Sequence, residues 1–193
     1  PISATLTQGD YLPQWHPYED YRKSYAARKD LGGGVLLTQI HEFDSALYLF
    51  GIPRRIFAMG GKLSQLEINV EDTACVLMEC EYEDKILPVT ITTDFLQSPP
   101  VRNCTIIGET GRIFLDLINS NISLTQRETG EIESYNNNDF KRNQLFIEEL
   151  KHFLEALSGE IAPAVNIKTG LESLRMALAA RKSLETGKAI GLK

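Results

Sequence analysis

The chain has 193 residues, 42% of them hydrophobic, and carries 20 basic against 26 acidic side chains for a net charge of −6. This is length and apolar content enough for one sizeable core, and with no basic stripe the phosphate attraction that drives nucleic-acid binding is missing. No apolar run approaches the roughly 20 residues needed to span a bilayer, and the opening "PISATLTQGD" lacks the charged and apolar regions of a signal peptide. The reading is a soluble, cytoplasmic protein with neither nucleic acid nor membrane as partner.

Ser3 to Thr7 reads as a short strand. It is followed by "GDYLPQWHPYEDYRKSYAARKD", an irregular, aromatic-rich loop with about one helical turn. Three glycines, Gly32 to Gly34, then stand directly before a run in which Leu36, Ile40, Phe43, Leu47 and Phe50 step by four and three, the period of an amphipathic helix. Gly51 and Pro53 supply its stop.

The period changes in the middle of the chain. "RRIFAMGG", "DTACVLMECEYEDK", "ILPVTITTDFLQS", the two runs of "VRNCTIIGETGRIFLDL", "NISLTQRE" and "EIESYN" give about seven strands with few helices between them. Such an order makes a mainly antiparallel sheet, because parallel neighbours need long crossovers. Along "ACVLMECEY", Ala74, Val76, Met78, Cys80 and Tyr82 face one side and Cys75, Leu77, Glu79 and Glu81 the other, so the two faces are unequally apolar. Cys75, Cys80 and Cys104 are odd in number and lack metal spacing, so they read as reduced core or sheet residues with no metal site.

A helical stripe returns in "DFKRNQLFIEELKHFLEALSG", with Asp139 as N-cap and Gly159 as stop. A last helix runs from about Lys168 to Thr186, ends at Gly187 and leaves a short strand-like tail. The fold class that follows is α+β, an α/β two-layer sandwich: a mainly antiparallel, open-faced sheet of six to eight strands with helices on one face. The 193 residues read as one domain.

Two clusters carry chemistry. On the helix after the glycines, Thr38, His41, Asp44 or Ser45, and Tyr48 share an edge. A histidine there can act as general acid or base near neutral pH; equally, a histidine at the border of an apolar face can be a hydrogen-bonded structural residue. Glycines ahead of it permit a close approach by backbone or ligand. In the aromatic loop, Trp15, His16, Asp20, Tyr21, Arg22 and Tyr25 combine rings and hydrogen-bonding groups of the kind that stack on sugar-like polyols; the alternative is that the rings pin the loop to the sheet. No strand, G-x-G-x-x-G and helix occur in succession, so a dinucleotide pyrophosphate has no usual cradle here.

The segments "GGGVLLTQIHEFDSALYLFG", "EDTACVLMECEYED", "CTIIGETGRIFLDL", "FIEELKHFLEAL" and "GLESLRMALAARKSLETGKAIGL", in that order, resemble the C-terminal domain of the Gfo/Idh/MocA oxidoreductases. The resemblance implies a parent enzyme with an N-terminal Rossmann domain for NAD or NADP upstream of these residues. This domain would then supply contacts to a sugar-like or cyclitol substrate, and its open sheet face an interface for a homo-oligomer. It further implies that His41 is the proton-transfer residue and that Gly33 and Gly34 lie close to cofactor or substrate, with no cofactor bound tightly by this segment alone. Where the subgroup usually has Asp, three residues before the histidine, this chain has Thr38. That departure favours the rival reading, a binding or assembly module of the same fold that has lost the dehydrogenase chemistry.

Overall fold

A computed structural model describes residues 1–137 and 139–192. In chain order it comprises β1 (Ser3–Gly9), α1 (Val35–Thr38), α2 (His41–Phe50), β2 (Arg55–Gly61), β3 (Thr73–Tyr82), β4 (Lys85–Asp94), β5 (Val101–Ile107), β6 (Gly111–Asp116), β7 (Asn121–Gln126), β8 (Ile132–Asn136), α3 (Arg142–Ser158), α4 (Ile167–Thr186) and β9 (Ile190–Gly191). The aromatic loop holds four short 3-10 turns rather than one helical turn.

All nine strands form one sheet in the order β8-β7-β6-β5-β1-β4-β3-β2-β9. Every pairing is antiparallel except β1 with β4, where Leu6 lies beside Ile91. The count exceeds six to eight because β9 pairs through only two residues, too short a run to show alternation. Glu83 and Asp84 make the tight turn between β3 and β4, Glu83 at a positive φ of 52°.

Alternation decides the core face. Ala74, Val76, Met78 and Cys80 are buried, while Cys75, Leu77 and Glu81 are exposed on the other side. One cross-strand row runs Ile56, Met78, Val89, Ala4, Ile106, Ile113 and Leu124. Its first four members are fully or almost fully buried under α1, α2 and α4. The last two emerge into solvent.

Three local expectations change. The single helix from Val35 to Phe50 is broken: α1 ends at Thr38, and Gln39 (φ −100°, ψ 37°) leaves the helical region before α2 resumes. The residue capping α3 is Lys141, not Asp139, and its side chain makes no capping bond. Helices do cover one sheet face, but α3 is not among them, for none of its 17 residues is buried. By contrast Asn166 caps α4 through bonds accepted from Lys168 N and Thr169 N, and Gly187 ends that helix in the left-handed region.

Candidate functional site

The glycines are packed by the chain itself. A Cβ on Gly33 would strike the carbonyl oxygens of Tyr25 and Ala26, and one on Gly34 the carboxylate of Glu71. Gly34 N–H donates to Ala26 O at 3.0 Å, Val35 N–H to Glu71 O at 3.0 Å and Leu36 N–H to Glu71 Oε1 at 3.3 Å. Glu71 therefore takes the first free amides of α1, which has no side-chain cap of its own. The close approach that Gly33 and Gly34 permit is thus made by the aromatic loop and by the segment before β3.

His41 opens α2 and is exposed, and among the described residues no hydrogen bond fixes its ring. The side chains around it are tied down on three elements. Buried Gln39 donates from Nε2 to Asp94 O at 3.1 Å and accepts from Thr93 Oγ1, both at the end of β4. Glu42, fully buried, accepts from Arg102 Nε on β5 at 2.6 Å. Asp44 accepts from Ser173 Oγ on α4 at 2.6 Å. The helix end that carries His41 is pinned to two strands and a helix, while the imidazole itself stays open.

Glu42 sits in an unusual environment. Burial pushes its carboxyl above the ordinary value, outweighing the attraction of Arg102, and its second oxygen Oε2 is buried without a partner. Cys104, two residues along β5 from Arg102, has its thiol pushed up to about 11, by burial first and by Glu42 second. Thr38 has a buried hydroxyl without a hydrogen-bond partner. Tyr48 is solvent-exposed at the far end of the same edge.

Of the six residues read as a polyol cluster, four line one cavity of about 190 Å³: Trp15, His16, Tyr21 and Tyr25. Trp15 also stands edge-on to buried Phe95, ring centroids 5.5 Å apart, and the His16 Nδ1 lies 3.0 Å from Tyr18 OH. Asp20 and Arg22 are engaged elsewhere. Arg22 donates to both oxygens of Asp20 and to Glu67 Oε2, and Tyr21 OH accepts from Glu67 N–H. The loop is therefore pinned, as one of the two readings has it, and it also frames a ring-walled hollow.

Sequence reasoning missed Gln39 and Glu42. The helical period places both on the buried side with Phe43 and Ala46, and a polar residue on that side is the signal that could have found them.

Residues 7–192 match a family model described as the oxidoreductase family, C-terminal alpha/beta domain, of the Gfo/Idh/MocA group. The chain belongs to the Gfo/Idh/MocA oxidoreductase family. It is 29% identical over 169 residues to a myo-inositol 2-dehydrogenase of Thermotoga maritima, an alignment covering 84% of this chain and 50% of the relative. This Gfo/Idh/MocA chain thus spans about half the length of the curated relative it matches. Among solved structures, an oxidoreductase from Agrobacterium radiobacter in complex with NAD+, L-tartaric acid and magnesium superposes with a TM-score of 0.75 at 16% identity, covering 99% of this chain and 56% of that one. The WlbA dehydrogenase from Bordetella pertussis, in complex with NADH and UDP-GlcNAcA, gives a TM-score of 0.73 at 19% identity, covering 100% and 54%. Both likenesses establish the fold. Among the described residues no helix is long and apolar enough to cross a membrane, and no group of His, Cys, Asp and Glu side chains could hold a metal ion.

Proposed function

We propose that this chain is the substrate-binding and oligomerisation domain of a cytoplasmic, nicotinamide-dependent oxidoreductase acting on a sugar, sugar derivative or cyclitol, preceded by a nucleotide-binding domain. The observation that carries this reading is the contrast around His41: its neighbours at 39, 42 and 44 are anchored, and its ring alone is exposed and unbonded. An imidazole held by a rigid backbone with its nitrogens free can exchange a proton with a bound hydroxyl or carbonyl.

A bound nicotinamide supplies the acceptor or donor of the hydride. His41 takes the proton of the substrate hydroxyl in one direction and returns it in the other. Gly33 and Gly34 are filled by the chain's own atoms, so the described residues form no pyrophosphate cradle there. Binding of the cofactor therefore falls to the preceding domain. The ring-walled hollow at Trp15, His16, Tyr21 and Tyr25 supports a sugar-like substrate, because aromatic faces stack on the apolar faces of such rings. On the open sheet face, Met59 and Leu77 are exposed beside Thr5 and Thr90, a mixed surface that supports self-association.

The test uses the protein with its upstream polypeptide, assayed on myo-inositol and on aldoses with NAD+ and NADP+. His41→Ala is expected to slow turnover by about 10² to 10⁴-fold, the usual range for loss of a general acid or base. An unchanged rate would overturn the reading and favour a module without the chemistry. Thr38→Asp is the companion, with a faster reaction expected if a carboxylate there assists the relay.

A further inference from the structure

The helix layer thins out past β5 and leaves the core face at β6 and β7 largely uncovered. Along the row that is buried at Ile56, Met78, Val89 and Ala4, Ile113 on β6 and Leu124 on β7 are 40% and 38% exposed, and Ile106 on β5 is half-buried. Among the described elements α1, α2 and α4 pack against β1 to β4, and no helix packs broadly over β5 to β8. Between this uncovered part and the C-terminal end of α2 lies a cavity of about 520 Å³, walled by Leu49, Phe50, Ile106, Ile113 and Leu124.

Pro1 stands at the rim of that cavity. The next residue is already stitched to the sheet, Ile2 N–H donating to Ile107 O at 2.7 Å. Any polypeptide upstream of Pro1 therefore leaves the sheet at this opening. The family match is to a C-terminal domain, and the myo-inositol 2-dehydrogenase relative is twice as long as the segment aligned to this chain.

A small molecule is a poorer occupant. Ligand pockets of this size combine apolar walls with a few convergent polar groups that orient the ligand, and here the polar side chains at the wall are only Thr110, Gln126 and the Tyr82 hydroxyl. An uncovered apolar patch continuous with a protein core is what an adjoining domain or segment would bury.

We propose that the polypeptide immediately preceding Pro1 lays an apolar segment into this cavity, completing the helix-side layer over β5 to β7. That segment would press on Leu49 and Phe50, at one end of the helix whose other end presents His41. The upstream domain would then be seated by the same α2 that carries the candidate proton-transfer group. This inference rests on the two-domain reading given above.

The experiment measures maleimide labelling of Ile113→Cys, in a Cys75→Ser background that removes the exposed native thiol. It compares the protein carrying its natural upstream polypeptide with the 193-residue chain beginning at Pro1, using N-ethylmaleimide and mass spectrometry under native conditions. Labelling at least tenfold slower in the longer protein is expected, with Leu124→Cys giving the same result as a second probe of the same wall. Equal rates in both proteins overturn the proposal. So does slowing that appears in both and grows with protein concentration, which would assign the patch to a second copy, and so does a gene product with nothing upstream of Pro1. NADH binding by the longer protein is measured alongside: binding with equal labelling rates defeats this inference alone, and protection without binding defeats the cofactor reading alone.

Discussion

Helices α2 and α3 have the same kind of amphipathic sequence and opposite fates. In α2 the first half of the apolar face is sealed against the sheet, with Phe43 and Ala46 fully buried and polar ties at Glu42 and Asp44. In α3 the stripe Phe146, Leu150, Phe153 and Leu157 recurs with textually similar spacing, yet every one of these side chains is exposed, Phe153 at 58%. A 3.6-residue period therefore reports that a face needs covering. It does not report that the cover lies within the same chain.

The sharpest way to break that comparison is paired truncation of the two phenylalanines. Phe43→Ala deletes a fully buried ring and is expected to cost about 3–5 kcal/mol in urea unfolding. Phe153→Ala in the same 193-residue chain should change stability by less than about 0.5 kcal/mol, as for a surface substitution. A similar loss from both would show that α3 is packed on the domain after all.

The same contrast explains what could be read in advance. The strands were legible because one sheet face is core and the other is open, so alternation along β3 marks both. The parallel pairing of β1 with β4 was not, since Leu6 and Ile91 meet through a contact that leaves no mark in either segment alone. The break at Gln39 was hidden for a related reason. The apolar run from Leu36 to Phe50 keeps its period across it, and the Gln39 side chain at the break bonds to Thr93 and Asp94, far away in sequence. His41 stood out as a titratable group beside an apolar stripe. Glu42 did not, because its partner Arg102 lies 60 residues further on.

A middle-sized effect tests how Glu42 anchors the His41 end of α2. Glu42→Ala removes the partner of Arg102, whose side chain is 31% exposed and so partly recovers water, and the expected cost is about 1–3 kcal/mol. Glu42→Gln isolates the charge. Burial raises the folded carboxyl above its ordinary 4.5, so the folded state holds this proton more tightly than the unfolded one. Stability is then expected to fall as pH rises from 4.5 through the folded value, and Glu42→Gln should reduce that slope in pH-dependent urea titrations. Half-buried Glu71, whose carboxyl is also raised by partial burial, adds a slope of the same sign, so part of it remains. Asp72 acts oppositely: bonds from Leu63 N, Ser64 Oγ and Ser64 N outweigh its burial and depress it, so its contribution is lost only as pH falls below 3.8. An unaltered slope in Glu42→Gln would remove Glu42 from the account.

The smallest effects sharpen the comparison at the helix starts. Asn166 caps α4, whose later turns are buried against β2, so Asn166→Ala should lower the global unfolding free energy by about 1 kcal/mol. Lys141, at the start of α3, offers its amides no acceptor. Lys141→Asp adds one, and should steady α3 locally by about 0.5–1 kcal/mol, seen as two- to fivefold slower amide hydrogen exchange in its first turns. The global midpoint should not move, because a helix with no fully buried residue is at most weakly coupled to the core it adjoins. A shift of that midpoint by Lys141→Asp would mean that α3 and the sheet unfold as one unit, and the division between the two helices would have to be redrawn.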